Sequence, residues 1–192
     1  MADKATDQRI VAAADDLFYR QGYEHTSFRD IAEAVGISRG NFYHHYKSKD
    51  DILRAVIERR LDNTRLLLRQ WEQQASSPLD RIICFVKILT TNWAKIRLYG
   101  CPVGTLTTEL SKLDHPAKKQ ASEVLTLFRQ WLKAQFIALE KAPEKADELA
   151  MHVLAFSQGV ATLASAYRDK AFVQREIDGM CKWLTQLAAQ QE

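Results

Sequence analysis

This sequence predicts an all-α fold of about nine helices, and three observations carry the expectation. Hydrophobic residues make up 46% of the 192, while seven glycines and four prolines are too few to punctuate a many-stranded β fold. Apolar residues recur at i, i+3, i+4 and i+7 instead of alternating, which is the period of a helix and not of a strand. Helix-starting and helix-stopping residues bracket those stripes.

Thr6 to Gln21 reads as the first helix, with Ile10, Ala14, Leu17 and Phe18 on one face and Gly22 as its stop. The next stripe is Phe28, Ile31, Ala32 and Val35. Ser27 is placed to cap it, since a hydroxyl accepts a hydrogen bond from an otherwise unpaired N–H. Gly36 sits where a left-handed residue closes the last turn. Ile37 re-enters the core, Ser38 offers a second N-cap, and Arg39 to His45 makes about two turns of a new helix. Helix, glycine turn and helix at this spacing form a helix-turn-helix, whose second helix lies in the DNA major groove.

In that second helix only Phe42 is plainly core-directed, joined by one face of Tyr46. Arg39, Asn41, Tyr43, His44 and His45 are left to point outward. Arginine holds a guanine edge with two hydrogen bonds, and asparagine does the same for adenine. Tyrosine and histidine suit phosphates or thymine methyls, and Lys47 and Lys49 follow as charges for the DNA backbone. Net charge is only +3. Residues 1 to 60 hold ten Lys/Arg against ten Asp/Glu, yet Ala34 to Lys49 holds three cations, two histidines and no acid. A compact positive tip on a neutral body favours short specific sites over wholesale wrapping of the backbone.

Ser48 caps a long helix that runs to about Gln74, with Asp50 and Asp51 in its first turn where the dipole favours anions. Leu53, Ile57, Leu61, Thr64, Leu68 and Trp71 form its stripe, and its length is about 40 Å. The domain reading is therefore 1–50 for the helix-turn-helix module, continued by the connecting helix 48–74, and 51–192 for a second helical domain. Ser77 with Pro78 opens the next helix, through Ile82, Phe85, Val86, Leu89 and Trp93. Cys101 with Pro102 starts a short one to Leu110, and Asp114 with His115-Pro116 opens another to Glu140. Pro143 opens a helix ending near Tyr167, and Ala171 to Gln190 closes the chain.

Several features agree in order and without a gap: Leu17-Phe18, Gly22-Tyr23, Thr26-Ser27, Asp30-Ile31-Ala32, Gly36-Ile37-Ser38, Gly40, Phe42-Tyr43, His45-Tyr46, Ser48-Lys49 and Leu53. Over roughly residues 6 to 60 this run resembles the TetR family of bacterial repressors. The resemblance implies a dimeric, all-helical transcriptional repressor released from a palindromic DNA operator by a small-molecule inducer. By that likeness Ser38, Arg39, Gly40, Asn41, Tyr43, His44 and His45 face bases or phosphates, while Ser27, Arg29, Lys47 and Lys49 clamp the backbone. Arg39-Gly40 stands where some members place other pairs, so the operator sequence does not carry over. An activator with the same head, or a cytosolic ligand-binding helical protein, is the alternative.

Small residues on the penultimate helix, among them Ala155, Gly159, Thr162 and Ala166, allow another helix close, and Ile177, Cys181, Leu184 and Leu187 stripe the last. Two such helices from each subunit would make a four-helix bundle across a two-fold axis. Both helices completing an intramolecular core is the competing reading. For the inducer, a helical domain offers an apolar cavity with a few polar groups. Phe85, Trp93, Tyr99, Phe128, Trp131 and Phe156 are candidate walls, with Thr90 and His152 as polar groups. Cys84 and Cys181 read as small core residues. Cys101 differs, because a thiol at a helix N-terminus is a stronger nucleophile. Its Gly-Cys-Pro setting resembles one in TetR members that control detoxification of electrophiles or small unsaturated acids, so an electrophile or oxidant is a candidate input. A cysteine merely packed at a helix start is the alternative.

No Cys/His cluster has metal-ligand spacing and no glycine-rich phosphate loop occurs, so neither metal nor cofactor is expected. No orienting group completes a catalytic set around Cys101, and an enzyme is not expected. The first residues, MADKATDQRI, lack the apolar core of a signal peptide, and no run of ~18 uncharged apolar residues is expected to span a membrane. A cytoplasmic protein is the expectation.

Overall fold

The computed structural model describes residues 2–190, apart from the side chains of residues 2–4 and 39. Among the described residues there are ten helices and no strand. They are α1 (Ala2–Gln21), α2 (Phe28–Val35), α3 (Arg39–His45), α4 (Lys49–Gln74), α5 (Pro78–Thr91), α6 (Trp93–Tyr99), α7 (Pro102–Lys112), α8 (Lys118–Ala138), α9 (Pro143–Tyr167) and α10 (Lys170–Ala189). The all-α reading holds. One helix more than the sequence spells out arises at Asn92, which ends α5 and starts α6.

The chain forms two compact units. The first comprises residues 1–63 and 105–124, the second residues 64–104 and 125–192. The boundary falls inside α4, α7 and α8, and not in a linker. The grouping does not follow a single cut along the chain, since residues 105–124 cluster with residues 1–63.

In the first unit, Ile10, Ala14, Phe18, Ile31, Ala32, Phe42, Ile52, Leu53, Val56 and Ile57 are each under 5% exposed and make the core. The caps fall where the residue types demand. Ser27 and Asp30 form a reciprocal capping box, and Gly36 closes α2 at φ 72°, a left-handed value that suits glycine. Ser38 Oγ accepts the Asn41 N–H at the start of α3. Asp114 behaves differently from its reading as a helix opener. Its φ of 48° makes it the left-handed end of α7, with the His115 N–H reaching Leu110 O at 2.9 Å, and α8 starts only at Lys118. Aspartate is among the few non-glycine residues that adopt this conformation readily.

In the second unit a cluster of rings lies within a largely aliphatic core. Trp71 and Trp131 rings lie 5.6 Å apart, Trp71 and Phe85 6.4 Å, and Phe85 and Phe128 5.3 Å. The Trp131 indole N–H donates to Glu72 Oε1 at 2.8 Å. α10 packs on α5 and α9. Residues 149–166 of α9 carry no charge, and by length and composition alone this helix would pass as a membrane span. Its 18-residue apolar window is 44% buried within the chain, through residues such as Val153, Leu154 and Val160, as befits a core helix.

Candidate nucleic-acid interface

Within the first unit, Phe42 anchors α3 from its inward face. Phe42 is 1% exposed, and its ring meets Phe28 of α2 edge-on at 5.1 Å. Phe28 also touches Tyr43, at 5.3 Å, and Tyr43 remains 47% exposed. Between the start of α2 and α3 lies a cleft of about 280 Å³, lined by Ser27, Phe28, Arg29, Ala32, Phe42 and Tyr43. Gly40, Asn41, Tyr43, His44 and Lys47 are exposed together on this side of Phe42, and a Cβ added at Gly40 would meet nothing within 4 Å. This is a short helix with donors and rings outward and an open glycine, followed by Lys47, whose ammonium donates to Tyr43 O, and it suits close approach to base edges and phosphates.

Other predicted contact residues have prior duties. Ser27 and Ser38 are N-caps, and the Ser27 hydroxyl also donates to Asp30 Oδ2 at 2.8 Å. The Ser27 backbone N–H first, and then its hydroxyl, both donating to Asp30 Oδ2, hold the Asp30 carboxyl below the usual carboxylate range. Arg29 is exposed and paired with Glu33 at 2.7 Å. The side chain of Arg39 lies outside the described residues.

Two expectations need correction. His45 does not face outward: its side chain is 5% exposed and Nδ1 lies 2.7 Å from Asp7 Oδ1 of α1. It stands three residues after Phe42 and so shares the inward face, a relation present in the spacing. Lys49 is not a free charge for the DNA backbone. Its ammonium donates to Tyr23 O at 3.0 Å and Glu24 O at 3.3 Å, and lies 4.2 Å from the centre of the Tyr23 ring.

Tyr23 is the residue that sequence reasoning passed over. It is 4% exposed, and its hydroxyl donates to Asp50 Oδ1 at 2.6 Å. Burial first, then the Asp50 carboxylate, raises the Tyr23 pKa far above its ordinary value. The same hydrogen bond, followed by the neighbouring His115, holds the Asp50 carboxyl low. His115 Nε2 lies 3.4 Å from the Tyr23 hydroxyl and 3.5 Å from Asp50 Oδ1. Because Nδ1 accepts the Ala117 N–H at 3.1 Å, neutral His115 must carry its proton on Nε2.

In the second unit the structure brings together Phe85, Phe128 and Trp131, with Trp71 added, all of them buried. Trp93, Tyr99 and Phe156 are half-buried. Thr90 returns its hydroxyl to Lys87 O within its own helix. Cys101 is half-buried and its sulfur accepts the Gly104 N–H at 3.4 Å. His152 is exposed on α9 against the Trp183 ring, 5.0 Å away, and so is a surface residue and not a cavity wall. Ala155, Gly159, Thr162 and Ala166 are exposed, with Met151 and Leu163 beside them. Ile177 and Leu184, read as part of a dimer face, are each 1% exposed inside the chain, where α10 packs on α5 and α9; Cys181 and Leu187 are half-buried. Among the described residues, no group of three or more His, Cys, Asp or Glu is arranged to hold a metal.

Residues 10–56 match the family of bacterial regulatory proteins, tetR family, and residues 78–176 match the C-terminal domain of LmrA/YxaF-like transcriptional regulators. An uncharacterized HTH-type transcriptional regulator of Lactococcus lactis is 28% identical over 176 residues, 90% of each chain. The HTH-type transcriptional repressor DhaR of a Mycobacterium species is 27% identical over 69% of this chain and 65% of its own. A solved TetR transcriptional regulator from Legionella pneumophila superposes with a TM-score of 0.77 at 27% identity, covering 93% of this chain and 95% of that one.

Proposed function

Because the chain belongs to the TetR family of helix-turn-helix transcriptional regulators, we propose that it is a cytoplasmic, dimeric repressor that binds a palindromic operator and is released by a small-molecule inducer. The observation that carries this reading is α3, a short helix pinned by buried Phe42 and presenting Asn41, Tyr43 and His44 to solvent. Asn41 reads a base edge, and Tyr43, His44 and Lys47 hold phosphates or a thymine methyl. Support for the dimer comes from α9, whose Met151, Ala155, Gly159, Leu163 and Ala166 form an uncovered, largely apolar face suited to a second copy. Two heads then read half-sites ~34 Å apart.

The inducer is an apolar small molecule taken up beside the Phe85, Phe128 and Trp131 rings. Its binding shifts α4 and changes the spacing of the two heads. A coupling of about 1–3 kcal/mol weakens the operator complex about 5- to 150-fold. Cys101, half-buried at the start of α7, is the candidate contact for an electrophile or a small unsaturated acid.

Selection of bound duplexes from a random library by the purified protein tests the reading. The expected product is a palindrome with half-sites one helical turn apart, and no enrichment at moderate salt overturns it. With that duplex in hand, Asn41→Ala relaxes base preference at one position at a cost of about 1–3 kcal/mol. Tyr43→Ala weakens all sequences alike.

A further inference from the structure

Residues 22–26, which join α1 to α2, are gripped from two sides within the first unit. Glu109, near the end of α7, accepts the Tyr23 N–H on Oε2 and the Glu24 N–H on Oε1, both at 2.9 Å. Lys49, the first residue of α4, donates to the carbonyls of the same two residues. Gly22 makes room for this grip: its φ is 91°, and a Cβ there would sit 2.9 Å from Glu109 Oε1. Downstream, Thr26 Oγ1 donates to Gly22 O at 2.7 Å and the Thr26 N–H to Tyr23 O at 3.2 Å, so the loop moves as a block. Ser27 and Arg29, at the mouth of the cleft beside α3, follow directly.

We propose that Glu109 is a positioning residue for operator binding: by taking two successive backbone N–H groups it sets the loop that aims the start of α2 and holds Lys49 at the start of α4. A carboxylate is the side chain this geometry requires, because both of its oxygens accept. Glutamine offers one oxygen, and its NH2 group faces the second N–H, donor against donor. Glu109 lies on α7, whose first residues, 102–104, belong to the other unit. The proposal rests on the operator-binding reading above.

The test compares full-length Glu109→Gln with the wild type on the duplex that the wild type selects, at a temperature where circular dichroism shows both folded. Affinity is expected to fall about tenfold with the same base preference and the same salt slope, since no phosphate or base contact is removed. Equal affinity overturns the proposal. A lost base preference overturns it too, because it would make Glu109 part of the reading surface. Should Glu109→Gln fail to fold, Glu109→Asp, which keeps the charge but shortens the reach to both N–H groups, is expected to give the same loss, and full affinity overturns the proposal. Selection of no duplex by the wild type defeats the operator reading alone. Amide exchange then decides about Glu109: faster exchange confined to Tyr23 and Glu24 supports its hold on the loop, and unchanged exchange removes it.

Discussion

Both units have an apolar core, but the contacts around one buried residue of each differ in kind. Around Tyr23, the first unit is stitched by directional hydrogen bonds: Tyr23 donates to Glu109 and Asp50 and accepts from Lys49 and Thr26, each bond tying down a specific atom. Around Trp131, the second unit is held by rings, with Trp71, Phe85 and Phe128 in edge or tilted contact. Hydrogen bonds weaken steeply with angle and so hold one geometry. Apolar contact is non-directional and scales with buried area, so it responds to changes of volume more than to the placement of single atoms. The contrast is between an arrangement fixed atom by atom and one fixed by packed area.

Three experiments break or sharpen that contrast. The largest effect belongs to Trp131→Ala, which removes a ring 8% exposed and orphans its partners, costing roughly 3–5 kcal/mol. Denaturant melts measure it, and amide protection at Tyr23 and Glu24 should survive in the folded protein. Loss of protection there would show that the units do not differ as described.

Tyr23→Phe comes next, at about 1 kcal/mol near neutral pH, because it deletes the hydroxyl donated to Asp50. The Asp50 carboxyl titrates lower in the folded chain than in the unfolded one. Its contribution is thus full above the ordinary carboxylate pKa and is lost as pH falls through the lowered one. The gap between wild type and Tyr23→Phe should therefore be widest near pH 7 and narrow below about pH 4. A gap independent of pH would assign the hydroxyl a packing role only. The smallest effect is that of Glu33→Gln, which breaks the exposed pair with Arg29. Its melting midpoint should match that of the wild type, since solvent-screened pairs add little.

Much of this architecture was legible in the residues. Stripes and caps placed α2 and α3 because their signals are local: Ser27 with Asp30, Gly36, and Ser38 with Asn41 all act within a few positions. His45 was legible too, three residues from Phe42, but an imidazole reads as polar and was turned outward. Glu109 and His115 were not legible, since they meet Tyr23 across 86 and 92 positions and no short-range pattern marks such a meeting. Ile177 and Leu184 show the same limit in another form. Their spacing says that a face is buried, and says nothing of whether its partner is this chain or a second copy.

The first unit is assembled from two separated stretches, 1–63 and 105–124. For anyone building hybrid regulators this sets the cutting plan. A head excised after α4 and fused to a foreign body arrives without Glu109 and His115, and its α1–α2 loop must rely on whatever the recipient offers at that place. A graft that carries residues 105–124 along with the front, or a recipient already bearing an acid and an imidazole there, keeps its native aim.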